Sequence, residues 1–249
     1  MTGIVINIIE YEELDSTNNE AKRLIVAART PDAQNENIPY GTVIKAKYQT
    51  AGRGRIGRSF FSPGPPSIYA SFVLPPPARP AEQLITALAA VAVCEAIERT
   101  TSYKPGIKWI NDVLADGKKI CGILAESIPE AVILGIGINI NIEESDMPKE
   151  LRAYAGSLRL DEEETAGLFG ALVDFVFRFT AAEGKEAASL MDEYRKRSVV
   201  TGKKITIIQG ESKRPATALD ISDDGALVVA YEDGSVGELR TGEISIFID

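Results

Sequence analysis

The sequence predicts an α+β fold, a mixed or antiparallel sheet with flanking helices, followed by a small SH3-like β-barrel. Segments with strand character outnumber those with helix character. They fall in hairpin-like pairs, whereas a parallel sheet would separate its strands by helices. After Arg197 the texture changes to short strands broken by turn residues, the pattern of a small all-β unit. These observations divide the chain into a larger domain, 1–197, and a smaller one, 198–249.

The first strand lies in MTGIVINIIEYEEL, which has no basic leading region and no small-residue cleavage site, so it does not read as a secretory signal. Thr17-Asn18-Asn19-Glu20 fits a capping box, and Ala21, Leu24, Ile25 and Ala28 recur at helical spacing, predicting a helix over about 17–29. The polar loop PDAQNENIP leads to the strand GTVIKAKYQ. AGRGRIGRS is a glycine- and arginine-rich loop, followed by a proline-punctuated turn and the strand SIYASFVL. A second proline-rich turn opens a helix over about 80–99 with Leu84, Leu88 and Val91 inward. The strands IKWINDVLA, KKICGILAES and EAVILGIGINI follow, the first two joined by an Asp116-Gly117 hairpin turn. Helices are predicted over about 163–180 and 186–197. KKITIIQ, RPATALDIS, ALVVAYE, SVGELR and ISIFI then supply the barrel strands, punctuated by SDDG and EDGS.

Composition removes several chemistries. The chain of 249 residues is 45% apolar, enough for a core, but no apolar run approaches the ~20 residues of a membrane helix. It contains no histidine, which excludes Ser-His-Asp and Cys-His catalysis and every zinc site built on imidazole. Cys94 and Cys121 are too few for a thiolate zinc site or a disulfide framework and fit a reducing cytoplasm. Any catalysis must come from positioning, from Lys and Arg charge, or from an oxygen-bound metal such as magnesium. Net charge is −9, yet Asn37 to Ala81 contains no Asp or Glu and carries Lys45, Lys47, Arg53, Arg55, Arg58 and Arg79. That segment is +6 and the remainder −15. A compact anion, rather than an extended nucleic acid, is the partner this predicts.

Gly52-Arg53-Gly54-Arg55-Ile56-Gly57-Arg58 matches G-x-G-x-x-G, but SFFSPGPPSIYASF cannot open a helix behind it, and no acid stands about twenty residues on to hold a ribose. Glycines permit unusual backbone angles and arginines bond phosphate oxygens, so the loop reads either as a mobile flap over phosphate or as a solvated turn. In EAVILGIGINI, alternation puts Val132, Leu134, Ile136, Ile138 and Ile140 on one face and Gly135, Gly137, Asn139 and Asn141 on the other. A bare front suits a flat ligand lying on the backbone, although such glycines also serve a bulge or a twisted strand. Lys108 and Lys119, on or beside apolar strands, are either anion ligands or surface lysines with snorkelling stems.

GRGRIGRSFFSP resembles the signature loop of the biotin protein ligases. Lys108-Trp109-Ile110-Asn111-Asp112-Val113, Lys119-Ile120-Cys121-Gly122-Ile123-Leu124 and Gly135-Ile136-Gly137-Ile138-Asn139 resemble three further blocks of that family, in its order and approximate spacing. With Ser16-Thr17-Asn18 upstream and the β unit downstream, the resemblance covers nearly the whole chain. It implies a fold of the class II synthetase-like, biotin–lipoate ligase type. It also implies a two-step reaction: biotin and Mg-ATP give biotinyl-5′-adenylate and pyrophosphate, and a lysine of a biotin carboxyl carrier protein then attacks the acyl carbon. ATP and Mg2+ are the implied cofactors, with the residues holding the metal left open.

By the same resemblance Arg55, Lys108 and Lys119 belong to the catalytic set, with Lys119 on the biotin carboxylate and Lys108 on phosphate oxygens. Aminolysis needs a neutral amine, and Asp112 is the candidate to orient or deprotonate it. Ser16, Thr17, Asn18, Gln49, Gly52, Arg53, Lys119, Gly122, Gly135 and Gly137 are the biotin-binding candidates, Ser16 and Thr17 being open also to plain helix capping. Arg55, Arg58, Phe60, Lys108, Asn111, Ile138 and Asn139 are the nucleotide-binding candidates. Two positions depart from the family: Ile110 stands where proline is usual, and Phe60 where tryptophan is usual. Lys108 and Asn111 cannot share a face of a regular strand, so both serve only if the chain turns after Trp109.

A lipoate or octanoate ligase of the same superfamily is one alternative, but its Arg/Gly-rich block typically carries a histidine. A nucleic-acid-binding module is another, opposed by the net charge. No DNA-binding segment stands ahead of the first strand, so no DNA partner and no membrane partner are expected, while the family implies a homodimer through the central sheet.

Overall fold

The computed structural model describes residues 5–28, 39–76, 82–240 and 243–246. The larger sheet is built from β1 (Asn7–Leu14), β2 (Thr42–Gln49), β3 (Ile68–Leu74), β4 (Gly106–Lys108), β5 (Asp112–Ala115), β6 (Lys118–Ile128) and β7 (Ala131–Ile138). Its order is β1-β2-β3-β7-β6-β5-β4, with β1 parallel to β2 and every other neighbouring pair antiparallel. The helices are α1 (Thr17–Ala27), α2 (Glu82–Thr100), α3 (Glu162–Thr180) and α4 (Gly184–Arg197). A smaller antiparallel sheet follows, with β8 (Lys204–Gln209), β9 (Ser212–Ile221), β10 (Leu227–Tyr231), β11 (Val236–Leu239) and β12 (Glu243–Ile246) in the order β11-β10-β9-β8-β12. The α+β class, the mixed sheet and the small C-terminal β unit therefore stand as the sequence predicts. The loop PDAQNENIP, up to its last residue, and Arg79 lie outside the described residues.

The two faces of the larger sheet are covered differently. Ile136, Ile138, Ile123, Phe72 and Ala70 point to one side and pack against α2 and α3. Ile44, Val73 and Ile133 point to the other and pack against Ala21 and Ile25 of α1. That second face continues past α1 as the floor of the site.

Four local expectations are corrected. The predicted capping box does not form: Ser16 is the N-cap of α1 without a side-chain cap bond. Gln49 Oε1 takes that place, accepting from the Thr17 N–H at 2.9 Å and the Thr17 hydroxyl at 3.2 Å. Leu88 and Val91 do face the core, but so does every residue from Ala87 to Cys94, because α3 and α4 pack on the outer side of α2. IKWINDVLA is not one strand: it turns after Lys108 and returns as β5, pairing Lys108 with Asp112. Finally, Lys45 and Lys47 do not serve an anion site, since they pair with Glu10 and Glu12 on β1 at 3.0 and 2.8 Å.

The two sheets share a continuous core. Ile205, Ile207, Ala218, Leu227 and Val229 of the smaller sheet belong to the same buried cluster as α2 and the larger sheet. After α4 the chain bridges to the β4 edge, Val199 donating to the Ile107 carbonyl at 2.9 Å.

Candidate active site

Period-two alternation determines what faces this site. Reading across the sheet, Tyr69 on β3 pairs with Gly137 on β7, Gly137 with Gly122 on β6, Gly122 with Asp112 on β5, and Asp112 with Lys108 on β4. A second row pairs Ser71 with Gly135 and Gly135 with Leu124. The middle of both rows is glycine, so side chains from outside the sheet come down onto the backbone. A Cβ on Gly137 would stand 2.5 Å from the Phe60 ring, and one on Gly135 would stand 2.3 Å from Asn18 Oδ1. Above this floor lies a cavity of about 620 Å³.

The arginine loop forms its own small hairpin over the floor. Arg53 bridges Ser59, Phe60 N–H donates to the Gly52 carbonyl at 2.9 Å, and Gly54 N–H donates to the Arg58 carbonyl at 2.7 Å. Ile56 and Gly57 adopt φ of 54° and 72°, making the tight tip. The loop is fastened on both sides: Arg55 donates to Asn111 Oδ1 at 3.1 Å, and Arg53 donates to Asn19 Oδ1 at 3.1 Å and pairs with Glu126 at 3.0 Å.

Arg53, Arg55, Arg58, Lys108 and Lys119 all line the cavity, against one carboxylate among the described residues, Asp112. Asp112 and Lys119 pair at 2.6 Å with both side chains mostly buried. The Lys119 backbone is held by its neighbour segment, accepting from Gly156 N–H at 2.8 Å and donating to the Tyr154 carbonyl at 2.7 Å. Such a set of fixed cations can neutralise the oxygens of a polyphosphate or a carboxylate.

Ser16, Thr17, Asn18, Gln49, Phe60, Asn111, Gly122, Gly135 and Gly137 also line the cavity. Three candidates do not. The Ile138 side chain belongs to the core packed against α2 and α3, on the face opposite the cavity, so as a side-chain ligand it is ruled out. Gly52 lies under the loop, where a Cβ would meet the Phe60 carbonyl at 2.5 Å. Asn139 lies just behind the lining, donating to the Gly156 carbonyl at 2.9 Å while its buried Oδ1 has no partner among the described residues. Phe60 sits on the glycine floor, edge-on to Tyr69 with centroids 6.4 Å apart.

Sequence reasoning missed several contributors. Ser71 is fully buried and its hydroxyl lies 2.7 Å from Thr17 Oγ1 and 2.5 Å from Asn18 Oδ1. Glu126 receives Asn18 Nδ2 at 2.8 Å and Lys22 at 2.7 Å as well as Arg53. Burial pushes its carboxyl up, but the bonds from Lys22 and Asn18 and the charges of Lys22 and Arg53 outweigh this and hold it below its ordinary value. Tyr69 and Ser71, at alternate positions of SIYASFVL, were a legible polar stripe in an otherwise buried strand. Ile208 had no such signal, since it reaches the cavity from the second sheet. The cysteines take no part: burial pushes both thiols up.

Comparison with known proteins agrees with this geometry. The model of the Biotin/lipoate A/B protein ligase family matches residues 14–143. The bifunctional ligase/repressor BirA of Bacillus spizizenii is 35% identical over 241 residues, covering 92% of this chain and 70% of that protein. The biotin–[acetyl-CoA-carboxylase] ligase of Mycobacterium tuberculosis is 32% identical over 221 residues, covering 80% of each. The biotin protein ligase of Aquifex aeolicus, solved in complex with biotin and ATP, superposes with a TM-score of 0.77 at 27% identity, over 98% of this chain and 99% of that one. The loop, the glycine floor and these relatives lead to one assignment: the chain belongs to the biotin protein ligases of the Biotin/lipoate A/B protein ligase family.

Proposed function

We propose that this chain activates biotin with ATP and transfers it to a lysine of a biotin carboxyl carrier protein. The observation that carries the reading is the convergence of five cationic side chains and one carboxylate on a glycine-floored cavity. In the first step a biotin carboxylate oxygen attacks the α-phosphorus of ATP and pyrophosphate leaves. In the second the carrier lysine's ε-amine attacks the acyl carbon, loses a proton, and AMP leaves.

Lys119 is assigned to the biotin carboxylate, and Lys108 with Arg53, Arg55 and Arg58 to phosphate oxygens, where fixed charge offsets what accumulates in the transition state. Asp112, beside Lys119, is assigned to orient or deprotonate the incoming amine. Ser16, Thr17, Asn18 and Gln49 are assigned to the polar ring of biotin, and Phe60, Asn111 and the buried Asn139 Oδ1 to the nucleotide. Magnesium enters as Mg-ATP, held chiefly by phosphate, since Asp112 alone among the described residues offers the cavity a carboxylate.

The division into a catalytic domain, 1–197, and a C-terminal domain, 198–249, belongs to the same reading. So does a homodimer through the central sheet, whose end strand β1, with no further neighbour among the described residues, leaves Ile8 exposed. A cytoplasmic location is supported by two free, buried cysteines; no helix among the described residues is long and apolar enough to cross a membrane.

Incubation with biotin, ATP and a carrier domain should add one biotinyl mass to one carrier lysine. Pyrophosphate–ATP exchange should depend on biotin and not on lipoate. Exchange driven by lipoate alone would move the chain to the other branch of its family.

A further inference from the structure

The side chains of Lys108, Asn111 and Asp112 leave a turn between two short strands, tied to β6 where Ile123 N–H donates to the Asn111 carbonyl and Asn111 Nδ2 donates to the Ile123 carbonyl, both at 3.0 Å. At Trp109 and Ile110 two further contacts, from the smaller sheet and from α4, brace it. The Trp109 indole, 4% exposed, donates to the Gly225 carbonyl of the smaller sheet at 2.9 Å. The buried Tyr194 hydroxyl of α4 donates to the Ile110 carbonyl at 3.2 Å.

Gly225 is itself firmly held. It lies in the turn between β9 and β10, where Gly225 N–H donates to the Ser222 carbonyl at 3.0 Å and Ala226 N–H to Ser222 Oγ at 2.9 Å. Asp224 pairs with Arg240 at 2.5 Å, Arg195 donates to the Ile221 carbonyl at 2.7 Å and also pairs with Asp223, and Gln83 of α2 donates to the Arg240 carbonyl. The turn is therefore a fixed point made by the smaller sheet together with α2 and α4. A buried indole N–H needs an acceptor, and this carbonyl is the one it has.

We propose that Trp109 is a positioning residue for adenylation, and that the smaller sheet contributes to the reaction by anchoring Trp109 through the Gly225 carbonyl. The anchor fixes Trp109 and with it the direction in which Lys108, the residue before it, leaves the turn, while Asn111 is tied also to Ile123 and Arg55. Displacement of about 1 Å at such a phosphate ligand is enough to cost a large share of the rate. The proposal rests on the adenylation reading above.

Trp109 is the chain's single tryptophan, so its emission reports the anchor without any substrate. Trp109→Phe keeps an aromatic ring but removes the donor together with the second ring, so Asp224→Ala, which leaves the indole in place, separates the anchor from the lost bulk. Trp109→Phe should raise KM for ATP in pyrophosphate exchange about fivefold or more while KM for biotin stays within about twofold, the size expected for one buried hydrogen bond. Asp224→Ala loosens the anchoring turn from its far side, touching neither the cavity nor the indole. It should shift the Trp109 emission to longer wavelength and raise KM for ATP in the same direction. Unchanged KM for ATP in Trp109→Phe, or unchanged emission and kinetics in Asp224→Ala, would overturn the proposal. Absence of biotin-dependent exchange in the unaltered protein would instead defeat the adenylation reading, with the anchor still read from the emission.

Discussion

Gly135 illustrates how little room this site leaves. An added Cβ would approach Asn18 Oδ1 to 2.3 Å, and that oxygen cannot retreat freely because the Ser71 hydroxyl holds it at 2.5 Å. Gly135→Ala should therefore push Asn18 off Glu126, raising KM for biotin about tenfold and lowering stability by about 1–3 kcal/mol, as overpacking does. Biotin titration and urea denaturation measure the two effects; an unchanged KM would remove Asn18 from the ligand's wall. Alternation along EAVILGIGINI made the bare face legible, and it also places the Ile138 side chain in the core. What comes down onto the glycines was not legible, because Phe60 and Asn18 arrive from other elements.

At the scale of elements, α1 depends on a residue it does not contain. Gln49 Oε1 accepts from the first N–H of the helix, satisfying one of its orphan donors, and Gln49 Nε2 donates to Ser62 Oγ at 3.1 Å. Gln49→Ala should cost about 1 kcal/mol, the usual value of a lost cap. It should weaken biotin binding as well, because Ser16 and Thr17 then lose their fixed entry. Isothermal titration beside thermal melting checks both, and a stability loss with untouched affinity would reduce Gln49 to a cap. The outer face of α3 offers a contrasting case. A Cβ on Gly170 meets nothing within 4 Å, so Gly170→Ala should raise stability by about 0.5–1 kcal/mol in a denaturation series, through helix propensity alone. Periodicity makes most elements legible, yet it predicts one strand for IKWINDVLA where the chain makes two. Its Asn111-Asp112 pair was the available turn signal, masked by the β-branched residues around it.

Across the whole molecule, charge is arranged to keep the arginine loop fastened. Glu126 collects Asn18, Lys22 and Arg53, and its folded-state value is lowered. A lowered carboxylate stabilises the fold above its unfolded value of about 4.3, and that contribution is lost as pH falls through the folded value. Glu126→Gln should therefore be less stable than the unaltered protein near neutral pH, with the gap closing below about pH 4. Urea denaturation at a series of pH values follows the gap, and a gap that widens towards acid would contradict the assigned role. Of the basic stretch of the sequence, Arg53, Arg55 and Arg58 line the cavity and two lysines do not. Lys45 and Lys47 are absorbed by β1, while Glu126, which completes the fastening, stands far outside that stretch.

The division between what was legible along the chain and what was not has a simple physical origin. Periodicity, turn chemistry and the absence of histidine are local or compositional, so the α+β class, the strand faces, the glycine floor and the kind of chemistry followed from residue order. Which side chains meet above that floor depended on contacts between distant segments. Strand order and sheet packing alone brought Glu126 to Arg53 and Gly225 to Trp109, since such contacts form only once the core has closed and excluded water.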